Sequence, residues 1–293
     1  MSTIAVTGAS GQLGQQFNFM SQFYPLHDFI FFDSEEIDIT IESVISKTLD
    51  EYDIDFLINC AAYTLVDQAE QEEDKAYRIN ADGVENLARY CHKENIILLH
   101  FSSDYVYHNE LNRPLRETDP TTPKGVYARS KMEGERRLIA EMDNYLIFRI
   151  SWLYSSYGSN FLKSIMKAAH GRDSLQIVYD QIGSPTYARD IASKSLRVVD
   201  GLAEGLFDIK STAGIYNVAN AGVASWYDFG LQIFERANIK IKVDPILSAE
   251  YKTAAVRPTY SVFDQSKFND TFGFSLNHWL RGLDKCFKAL NED

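Results

Sequence analysis

The stretch Ile4-Ala-Val-Thr-Gly8-Ala-Ser-Gly11-Gln-Leu-Gly14 decides the fold of this chain. A short β-branched run ends at Gly8, and residues 12–23 then have the pattern of a helix. Glycine lets the backbone turn tightly and approach a pyrophosphate, while a helix N-terminus offers free N–H groups and a partial positive charge. Although the spacing is Gly-x-x-Gly-x-x-Gly, the strand before it and the helix after it predict a phosphate loop rather than a turn without a ligand. The loop residues that we expect to bind a dinucleotide are Gly8, Ser10, Gly11, Gln12, Leu13 and Gly14.

The residues that follow alternate between strand and helix patterns. Apolar runs at 29–32, 56–59, 96–101 and 145–150 read as further strands, and residues 74–93 read as a helix between two of them. Strands that alternate with helices form a parallel sheet covered on both faces. We therefore predict an α/β fold with a Rossmann-type doubly wound parallel sheet.

The pattern changes after about residue 150. Four segments look helical and three look like short strands, namely helices at 160–169, 188–199, 226–237 and 276–290 and strands at 175–178, 215–218 and 243–247. Two Pro-containing stretches, 184–186 and 257–259, read as fixed loops. We predict a dinucleotide-binding domain at 1–150 and a smaller C-terminal α/β substrate-binding lobe at 151–293, partly intermixed with the last sheet elements.

The composition limits the classes of partner and the cellular location that we expect for this protein. The net charge of −12 disfavours non-specific binding to nucleic acid or to an anionic membrane, because phosphate contacts need clustered Lys and Arg. No apolar run approaches the roughly 20 residues that span a bilayer, and no signal peptide is expected. Cys60, Cys91 and Cys286 lack metal-ligand spacing and are odd in number, which is typical of reduced thiols in a cytoplasmic protein.

An acidic residue follows the second predicted strand. Asp33 lies where a carboxylate would bind an adenosine ribose diol. The next seven residues, Ser-Glu-Glu-Ile-Asp-Ile-Thr, contain no Arg or Lys to receive a 2′-phosphate. This favours NAD(H), with NADP(H) as the alternative, and a solvated acidic turn is the structural alternative. Asp38 and Ile39 of the same segment are also expected to contact the cofactor.

Tyr127 and Lys131 are four residues apart in Val-Tyr-Ala-Arg-Ser-Lys, so in a helix they share one face. A nearby ammonium favours the phenolate and lowers a phenol pKa from its usual value of about 10. Alone the pair is weak, because Tyr-x-x-x-Lys arises by chance in many surface helices. Ser103 ends the strand that begins near Ile96, and residues at the carboxyl ends of parallel strands face the ligand crevice. Together the three supply a hydroxyl, a phenol and an ammonium, which can polarise and protonate a ketone.

With these residues the chain resembles the extended short-chain dehydrogenase/reductase superfamily, and more closely the dTDP-4-dehydrorhamnose reductase family. The similar blocks occur in the family's order along most of the chain. They are Gly-Gln-Leu-Gly at 11–14, Ile-Asn-Cys-Ala-Ala-Tyr-Thr-Leu-Val-Asp-Gln-Ala-Glu at 58–70, Ile-Asn-Ala-Asp-Gly-Val-Glu-Asn-Leu-Ala at 79–88, Ser-Ser-Asp-Tyr-Val-Tyr at 102–107, Arg-Ile-Ser-Trp-Leu-Tyr at 149–154, Asn-Phe at 160–161, Asp-Gln-Ile-Gly-Ser-Pro-Thr at 180–186, and Arg257-Pro258 with Ser261.

The resemblance implies a reaction: NAD(P)H-dependent reduction of dTDP-4-dehydro-L-rhamnose (dTDP-6-deoxy-L-lyxo-4-hexulose) to dTDP-L-rhamnose. It implies that Tyr127 is the general acid for the C4 ketone oxygen and that nicotinamide delivers hydride to C4. Lys131 would lower the tyrosine pKa and hold the nicotinamide ribose, and Ser103 would hydrogen-bond the carbonyl oxygen.

The resemblance also implies further site residues. Those expected at the cofactor are Ala61, Ala62, Tyr63 and Asn80, and those expected at the substrate are Ser102, Asp104, Tyr105, Trp152, Asn160, Gln181 and Arg257. Two alternatives stay open: Trp152 as a core residue and Arg257 as half of a surface ion pair. We expect His27, His108 and His170 to be surface residues.

The chain departs from the family pattern in three places. Ser103 replaces the usual Thr and keeps the hydroxyl, while Tyr107-His108-Asn109 replaces the usual Phe-Asp-Gly near the substrate. Some members bind magnesium through acidic residues at a dimer contact. Gln15 occupies one of those places, so no metal is predicted, and a homodimer remains an expectation.

Three other functions share parts of this sequence pattern. A sugar-nucleotide 4,6-dehydratase has Asp-Glu after the Thr of this strand, whereas here Asp104 precedes Tyr105. A 4-epimerase shares the Tyr and Lys, but the second-half blocks fit it less well. A regulatory subunit resembling that of methionine adenosyltransferase would keep the fold and nucleotide site without catalysis, and the retained hydroxyl, Tyr and Lys favour an enzyme.

Overall fold

The computed structural model of the chain describes residues 1–292. Its strands are β1 (Ser2–Thr7), β2 (His27–Phe32), β3 (Phe56–Asn59), β4 (Ile97–Ser103), β5 (Tyr145–Ile150), β6 (Leu153–Tyr154), β7 (Ser174–Val178), β8 (Ile182–Gly183), β9 (Thr186–Tyr187), β10 (Gly214–Val218), β11 (Ala224–Ser225) and β12 (Lys242–Ile246). Its α-helices are α1 (Gln12–Ser21), α2 (Glu42–Leu49), α3 (Val66–Ala69), α4 (Glu73–Tyr77), α5 (Gly83–Glu94), α6 (Val126–Glu141), α7 (Phe161–Ala169), α8 (Ala188–Ala203), α9 (Ile209–Thr212), α10 (Trp226–Arg236), α11 (Ser266–Phe272) and α12 (Trp279–Glu292).

Six parallel strands form the central sheet in the order β10-β5-β4-β3-β1-β2. From β1 the chain runs outward to β2 and then returns to β3 on the other side. The strand order therefore reverses between β1 and β3, and ligands bind in the crevice at the carboxyl ends of such strands. The predicted Rossmann-type parallel sheet is confirmed.

Helices cover both faces of this sheet. On one face α1, α8 and α11 pack on the strands, with Phe17, Ile191 and Phe268 in the shared core. On the other face α2, α5 and α6 do the same through side chains such as Ile45 and Leu138. Because both faces are buried, the strands are continuous apolar runs rather than alternating ones, as in β3 (Phe-Leu-Ile-Asn).

The second half of the chain contributes to two layers. Helix α8 lies against α1, and β10 extends the sheet beside β5. Helices α7, α10 and α12 instead surround a separate core around Phe229 and Trp279, next to the parallel pair β7 and β12. The expected intermixing with the last sheet elements is visible in β10, and the boundary near residue 150 stays a prediction.

The predicted helix at 74–93 is one helical run with a wider turn inside it. A π-helical turn, Arg78–Asp82, separates α4 from α5. Gly134 of α6 lies so close that a Cβ there would be 2.0 Å from the carbonyl oxygen of Asn80. The wider turn directs the Asn80 amide into the protein, and π-turns of this kind are frequent at functional sites.

Two of the three histidines are not surface residues. The His27 side chain is only 4% exposed and its Nε2 lies 3.0 Å from an Asp200 oxygen, because α8 packs over β2. His108 is half-buried and lines a large cavity, since the loop after β4 folds back under the C-terminal lobe. His170 is exposed, as predicted. In residues 1–292 we find no helix of the length and apolarity that crossing a bilayer requires.

The close contact at Gly134 predicts that alanine at this position lowers the free energy of unfolding, whereas Gly→Ala in a helix usually raises it. In an open helix position Gly→Ala stabilises a protein by up to about 1 kcal/mol. Gly134→Ala should instead destabilise it by about 2 kcal/mol or more, because the methyl group meets backbone. Urea unfolding measures this, with exposed Ala140→Gly on the same helix as the reference for propensity. A stabilised Gly134→Ala variant would contradict the packing of α6.

Candidate active site

The phosphate loop forms a cradle that only glycine permits. Gly8 has φ +70°, and a Cβ there would lie 2.5 Å from the Ala61 nitrogen. A Cβ on Gly14 would lie 2.3 Å from the Gly8 carbonyl oxygen. Gly11 is the N-cap of α1 and no side chain caps this helix, so its first N–H groups stay free for an anion.

The other loop residues have separate roles. The Ser10 carbonyl accepts a hydrogen bond from Gln15 Nε2 at 2.7 Å, which closes the turn. Leu13 is buried in the core, so only its backbone reaches the crevice. Gln12 Oε1 accepts from Asn160 Nδ2 at 2.9 Å, and this bond joins the loop to the second half of the chain.

The turn after β2 is acidic and ordered by its own backbone. Asp33 Oδ1 accepts from the Glu35 nitrogen at 2.9 Å, and Asp38 Oδ1 accepts from the Thr40 nitrogen at 2.9 Å. Asp33 is half-buried and Asp38 is exposed. Ile39 is buried against Gly83 of α5, so its side chain belongs to the core rather than to a cofactor site.

Asn80 acts by holding the chain that follows β3. Its Oδ1 accepts from the Tyr63 nitrogen at 2.9 Å, and its Nδ2 donates to the Tyr63 carbonyl at 3.0 Å and to Ser130 Oγ at 3.0 Å. The side chain is fully buried and its bonds are all internal. Asn80 therefore holds Tyr63 and its neighbours in place, and its contact with a cofactor stays a prediction.

The three predicted catalytic residues meet at the carboxyl end of β4. Ser103 is the last residue of that strand, and its hydroxyl hydrogen-bonds toward the half-buried Tyr127 phenol. Lys131 is 2% exposed and its Nζ donates to the Phe101 carbonyl at 2.7 Å. Helix α6 thus carries the phenol and the ammonium to the strand that carries the hydroxyl.

Burial sets the protonation of these groups. It raises the pKa of Tyr127 to about 12, a shift that the Ser103 hydroxyl opposes and the Asp104 carboxyl increases. The expected lowering of this pKa by Lys131 is not observed, because burial dominates. Burial also lowers the pKa of Lys131 to about 8, against the opposing effects of Glu135 and Cys60. At neutral pH the phenol is protonated and the ammonium is charged.

A buried ion pair lies behind Lys131. Glu135 is one turn further along α6, and Arg149 of β5 donates to it with Nη2–Oε2 at 2.6 Å. Ser102 also donates to this carboxylate, and Arg149 donates to the Tyr107 hydroxyl. The Ser102 side chain therefore belongs to the buried network behind the site, and its contact with substrate stays a prediction. Glu135 is not among the residues predicted for the site, although its position four residues after Lys131 places it on the same face of α6.

A cavity of about 1000 Å³ lies between the loop after β4 and the C-terminal lobe, and it is lined by neither Ser103, Tyr127 nor Lys131 but reaches them through Tyr105. Of the predicted substrate residues, Tyr105, Gln181 and Arg257 line it. Tyr105 packs edge-on against Tyr127, with ring centroids 5.4 Å apart. Arg257 forms a two-bond ion pair with Asp67 at 2.6 and 3.2 Å, which links the lobe to the loop after β3.

Trp152 does not line the cavity but packs behind a residue that does. It stacks on Trp226 with ring centroids 3.6 Å apart and planes 4° apart, and it is Trp226 that lines the cavity. Trp226 Nε1 donates to Gln181 Oε1 at 3.1 Å. Trp152 has φ +45°, a strained conformation for a bulky residue that this packing maintains. Trp226 was missed because its neighbourhood reads as an ordinary amphipathic helix.

Asn160 and Asp104 face the protein rather than the cavity. Asn160 caps α7 through the Lys163 nitrogen and donates to Gln12 and to the Ser155 carbonyl, so its polar atoms are occupied. Asp104 is 2% exposed and accepts from serine hydroxyls. Both side chains hold neighbouring residues in place, and their predicted contact with substrate stays a prediction. Within the described part of the chain, no group of three or more His, Cys, Asp or Glu could hold a metal ion.

Comparison with known proteins gives a consistent answer. The family model described as the RmlD substrate binding domain matches residues 1–292. A dTDP-4-dehydrorhamnose reductase of Aggregatibacter actinomycetemcomitans is 37% identical over 97% of this chain and 97% of the relative. The spore coat polysaccharide biosynthesis protein SpsK of Bacillus subtilis is 33% identical over 97% of this chain and 96% of its own length. A crystal structure of dTDP-4-dehydrorhamnose reductase from Bacillus anthracis, in complex with NADP, superposes with a TM-score of 0.90 at 36% identity, covering 98% of this chain and 99% of the other.

The Rossmann-type sheet and the glycine cradle, together with these relatives, define an NAD(P)-dependent oxidoreductase. Within that class, the chain belongs to the dTDP-4-dehydrorhamnose reductase family. The resemblance seen in the sequence blocks is confirmed.

The lowered pKa of Lys131 predicts a pH-dependent cofactor affinity. Above about pH 8 the side chain loses its charge, so the hydrogen bonds to a nicotinamide ribose that the resemblance predicts for it would weaken. We expect the Kd for NADH to rise by about three- to tenfold between neutral pH and about pH 9. Isothermal titration calorimetry measures this. Lys131→Met should bind weakly with no such step, and exposed Lys288→Met should keep the wild-type profile. A step that persists in Lys131→Met would assign the titration to another group.

Proposed function

We propose that the protein reduces the C4 ketone of dTDP-4-dehydro-L-rhamnose to dTDP-L-rhamnose, with Tyr127 as the proton donor. The observation that carries this proposal is the meeting of Ser103, Tyr127 and Lys131 at the end of β4, next to Tyr105, which packs on Tyr127 and lines a cavity of about 1000 Å³. The substrate follows from the relatives named dTDP-4-dehydrorhamnose reductase. The SpsK relative supports a role in making surface polysaccharide.

The residues fit a nicotinamide dinucleotide. The glycines leave room that a Cβ would fill, and the uncapped start of α1 faces that space. When bound, the cofactor supplies a hydride to C4. The proposed role of Lys131 is to hold the nicotinamide ribose with its ammonium, whose charge the nearby Glu135 carboxylate favours.

Proton transfer is the task of the protein. As C4 receives the hydride, the π electrons of the ketone move to its oxygen, which takes the Tyr127 proton. A protonated phenol is the form that this step needs, and the raised pKa of Tyr127 keeps it protonated at neutral pH. The charged Lys131 then stabilises the phenolate left behind.

The alternatives lack support of this kind. A dehydratase needs a second acid after Asp104, and Tyr105 stands there with its ring against Tyr127. Burial of the charged Lys131 costs solvation free energy, which the nearby Glu135 carboxylate partly offsets. A purely regulatory protein gives no reason to retain such a buried charge. We further propose a cytoplasmic location, on the basis of three free thiols, while the homodimer stays a prediction.

Replacing the proton donor should separate chemistry from binding. Tyr127→Phe removes one hydroxyl, so kcat should fall by about 10²- to 10⁴-fold while the Kd for NADH stays within about twofold. The assay follows loss of nicotinamide absorbance with a dTDP-4-keto-6-deoxy sugar. Tyr52→Phe, on the surface, is the matched control. Near-wild-type turnover by Tyr127→Phe would remove the proposed mechanism.

No turnover by the wild-type protein with any 4-keto sugar nucleotide, together with tight binding to a partner synthetase, would instead favour the regulatory alternative. These two outcomes are distinguishable. Near-wild-type turnover by Tyr127→Phe leaves a working reductase that uses another acid, whereas no turnover by the wild-type protein leaves no reductase.

We propose NADH as the preferred cofactor, because Asp33 and the acidic turn after it repel a 2′-phosphate. The ratio of kcat/KM for NADH to that for NADPH should exceed one and fall by about tenfold in Asp33→Ser. Asp28→Ser, an exposed change at the other end of β2, should leave the ratio unchanged. A wild-type preference for NADPH would overturn the role given to Asp33.

A further inference from the structure

Residues 155–160 lie against the phosphate loop. Asn160 Nδ2 donates to Gln12 Oε1 at 2.9 Å and to the Ser155 carbonyl at 2.8 Å. Gly158 has φ +63°, and a Cβ there would lie 2.8 Å from Gln12 Cγ. The approach is therefore too close for a larger residue, and the second half of the chain holds the Gln12 side chain in one place.

Gln12 is also the first residue of α1. Its N–H belongs to the first turn of that helix, which no side chain caps and where the glycine cradle would receive the cofactor pyrophosphate. An anion bound there fixes the Gln12 backbone, and a fixed backbone limits the rotamers through which the side chain can reach Asn160. Cofactor binding and the Gln12–Asn160 hydrogen bond therefore favour the same conformation.

The other side of the Asn160 amide sets the start of α7. Its Oδ1 accepts from the Lys163 nitrogen at 3.2 Å, which makes Asn160 the N-cap of this helix. Phe161 follows the cap directly and packs on Trp226 with ring centroids 4.6 Å apart. The residues of α7 that line the large cavity are Phe161, Ser164, Ile165 and Ala168. One side chain thus contacts the phosphate loop and begins the helix that forms a wall of the cavity.

We propose that Asn160 is a positioning residue that couples the cofactor site to the substrate cavity, so that each ligand raises the affinity for the other. This coupling rests on the proposed reductase function. Bound cofactor fixes Gln12, Gln12 fixes the Asn160 amide, and the capped helix holds Phe161 in the cavity wall. The conformational freedom that the first ligand removes is not lost again when the second binds. Because coupling is reciprocal, a nucleotide in the cavity tightens cofactor binding by the same factor.

The test measures the Kd of dTDP by isothermal titration calorimetry, with and without a saturating oxidised cofactor. The cofactor is NAD⁺ or NADP⁺, whichever binds the wild type more tightly, and it cannot react with dTDP. The ratio of the two Kd values is the coupling factor, which should be about fivefold or more in the wild type. Asn160→Ser keeps a residue that caps helices and removes the amide donor, so its ratio should fall to about one. Gln12→Met removes the acceptor from the other side and should do the same.

Gln15→Met is the matched control. Gln15 Nε2 donates to the Ser10 carbonyl within the phosphate loop and not to residues 155–160. This variant should therefore change the affinity for the cofactor but keep the wild-type ratio. One turn further along α1, Gln16 Nε2 donates to Ser155 Oγ at 2.9 Å, and this bond keeps the helix against residues 155–160 in every variant.

Three outcomes overturn the coupling. They are a wild-type ratio of about one, an Asn160→Ser variant with the wild-type ratio, and a Gln12→Met variant with the wild-type ratio. If Asn160 acted only by touching the nucleotide, Asn160→Ser would weaken dTDP binding equally with and without cofactor, which is the second of these outcomes. Gln12→Met leaves Asn160 and its cap untouched, so it decides the matter even if Asn160→Ser does not fold.

Failure of the coupling is distinguishable from failure of the proposed function. A wild-type protein that binds no dTDP removes the proposed substrate and this coupling together. Binding of dTDP with the same Kd in the presence and absence of cofactor removes only the coupling.

Discussion

Helix α6 packs directly on strand β4, and the position of each reacting group depends on that contact. Gly134 lets the helix approach the π-turn at Asn80 without a side chain between them. At that distance Lys131 reaches the Phe101 carbonyl, and Tyr127 comes beside Ser103. The same approach buries Glu135 against Arg149. A helix displaced by the width of a methyl group would separate the phenol from the hydroxyl at the strand end.

Burial then decides which protons are present. The same exclusion of water raises the pKa values of Tyr127 and Asp104 and lowers that of Lys131. The outcome is a protonated phenol, a charged amine and a carboxyl near its titration point within one crevice. Groups whose environments move their pKa values apart in this way are typical of acid–base sites. The Glu135 carboxylate, which also pairs with Arg149, raises the pKa of Lys131 against the opposing effect of burial and so favours its protonated form.

The features that the sequence predicts are local or periodic. Gly8 to Gly14, the parallel strands and the Tyr127–Lys131 spacing follow from short-range rules, so the sheet and the approach of Tyr127 and Lys131 to the end of β4 could be predicted. The partners of buried polar groups could not, because they depend on contacts far apart in the chain. The sequence gives no sign that the Asn80 side chain holds Tyr63, 17 residues earlier. Trp152 reads as a sugar contact, whereas Trp226, from a helix 74 residues later, lines the cavity in front of it.

The most direct test of the reductase assignment follows the hydride itself. NADH carrying deuterium on the transferred face of nicotinamide C4 is incubated with the wild-type protein and a dTDP-4-keto-6-deoxy sugar, and the sugar product is analysed by mass spectrometry and NMR. The account predicts one deuterium, located at C4 of the sugar, with a matching loss of label from the cofactor. An unlabelled sugar, or deuterium at another carbon, would contradict it.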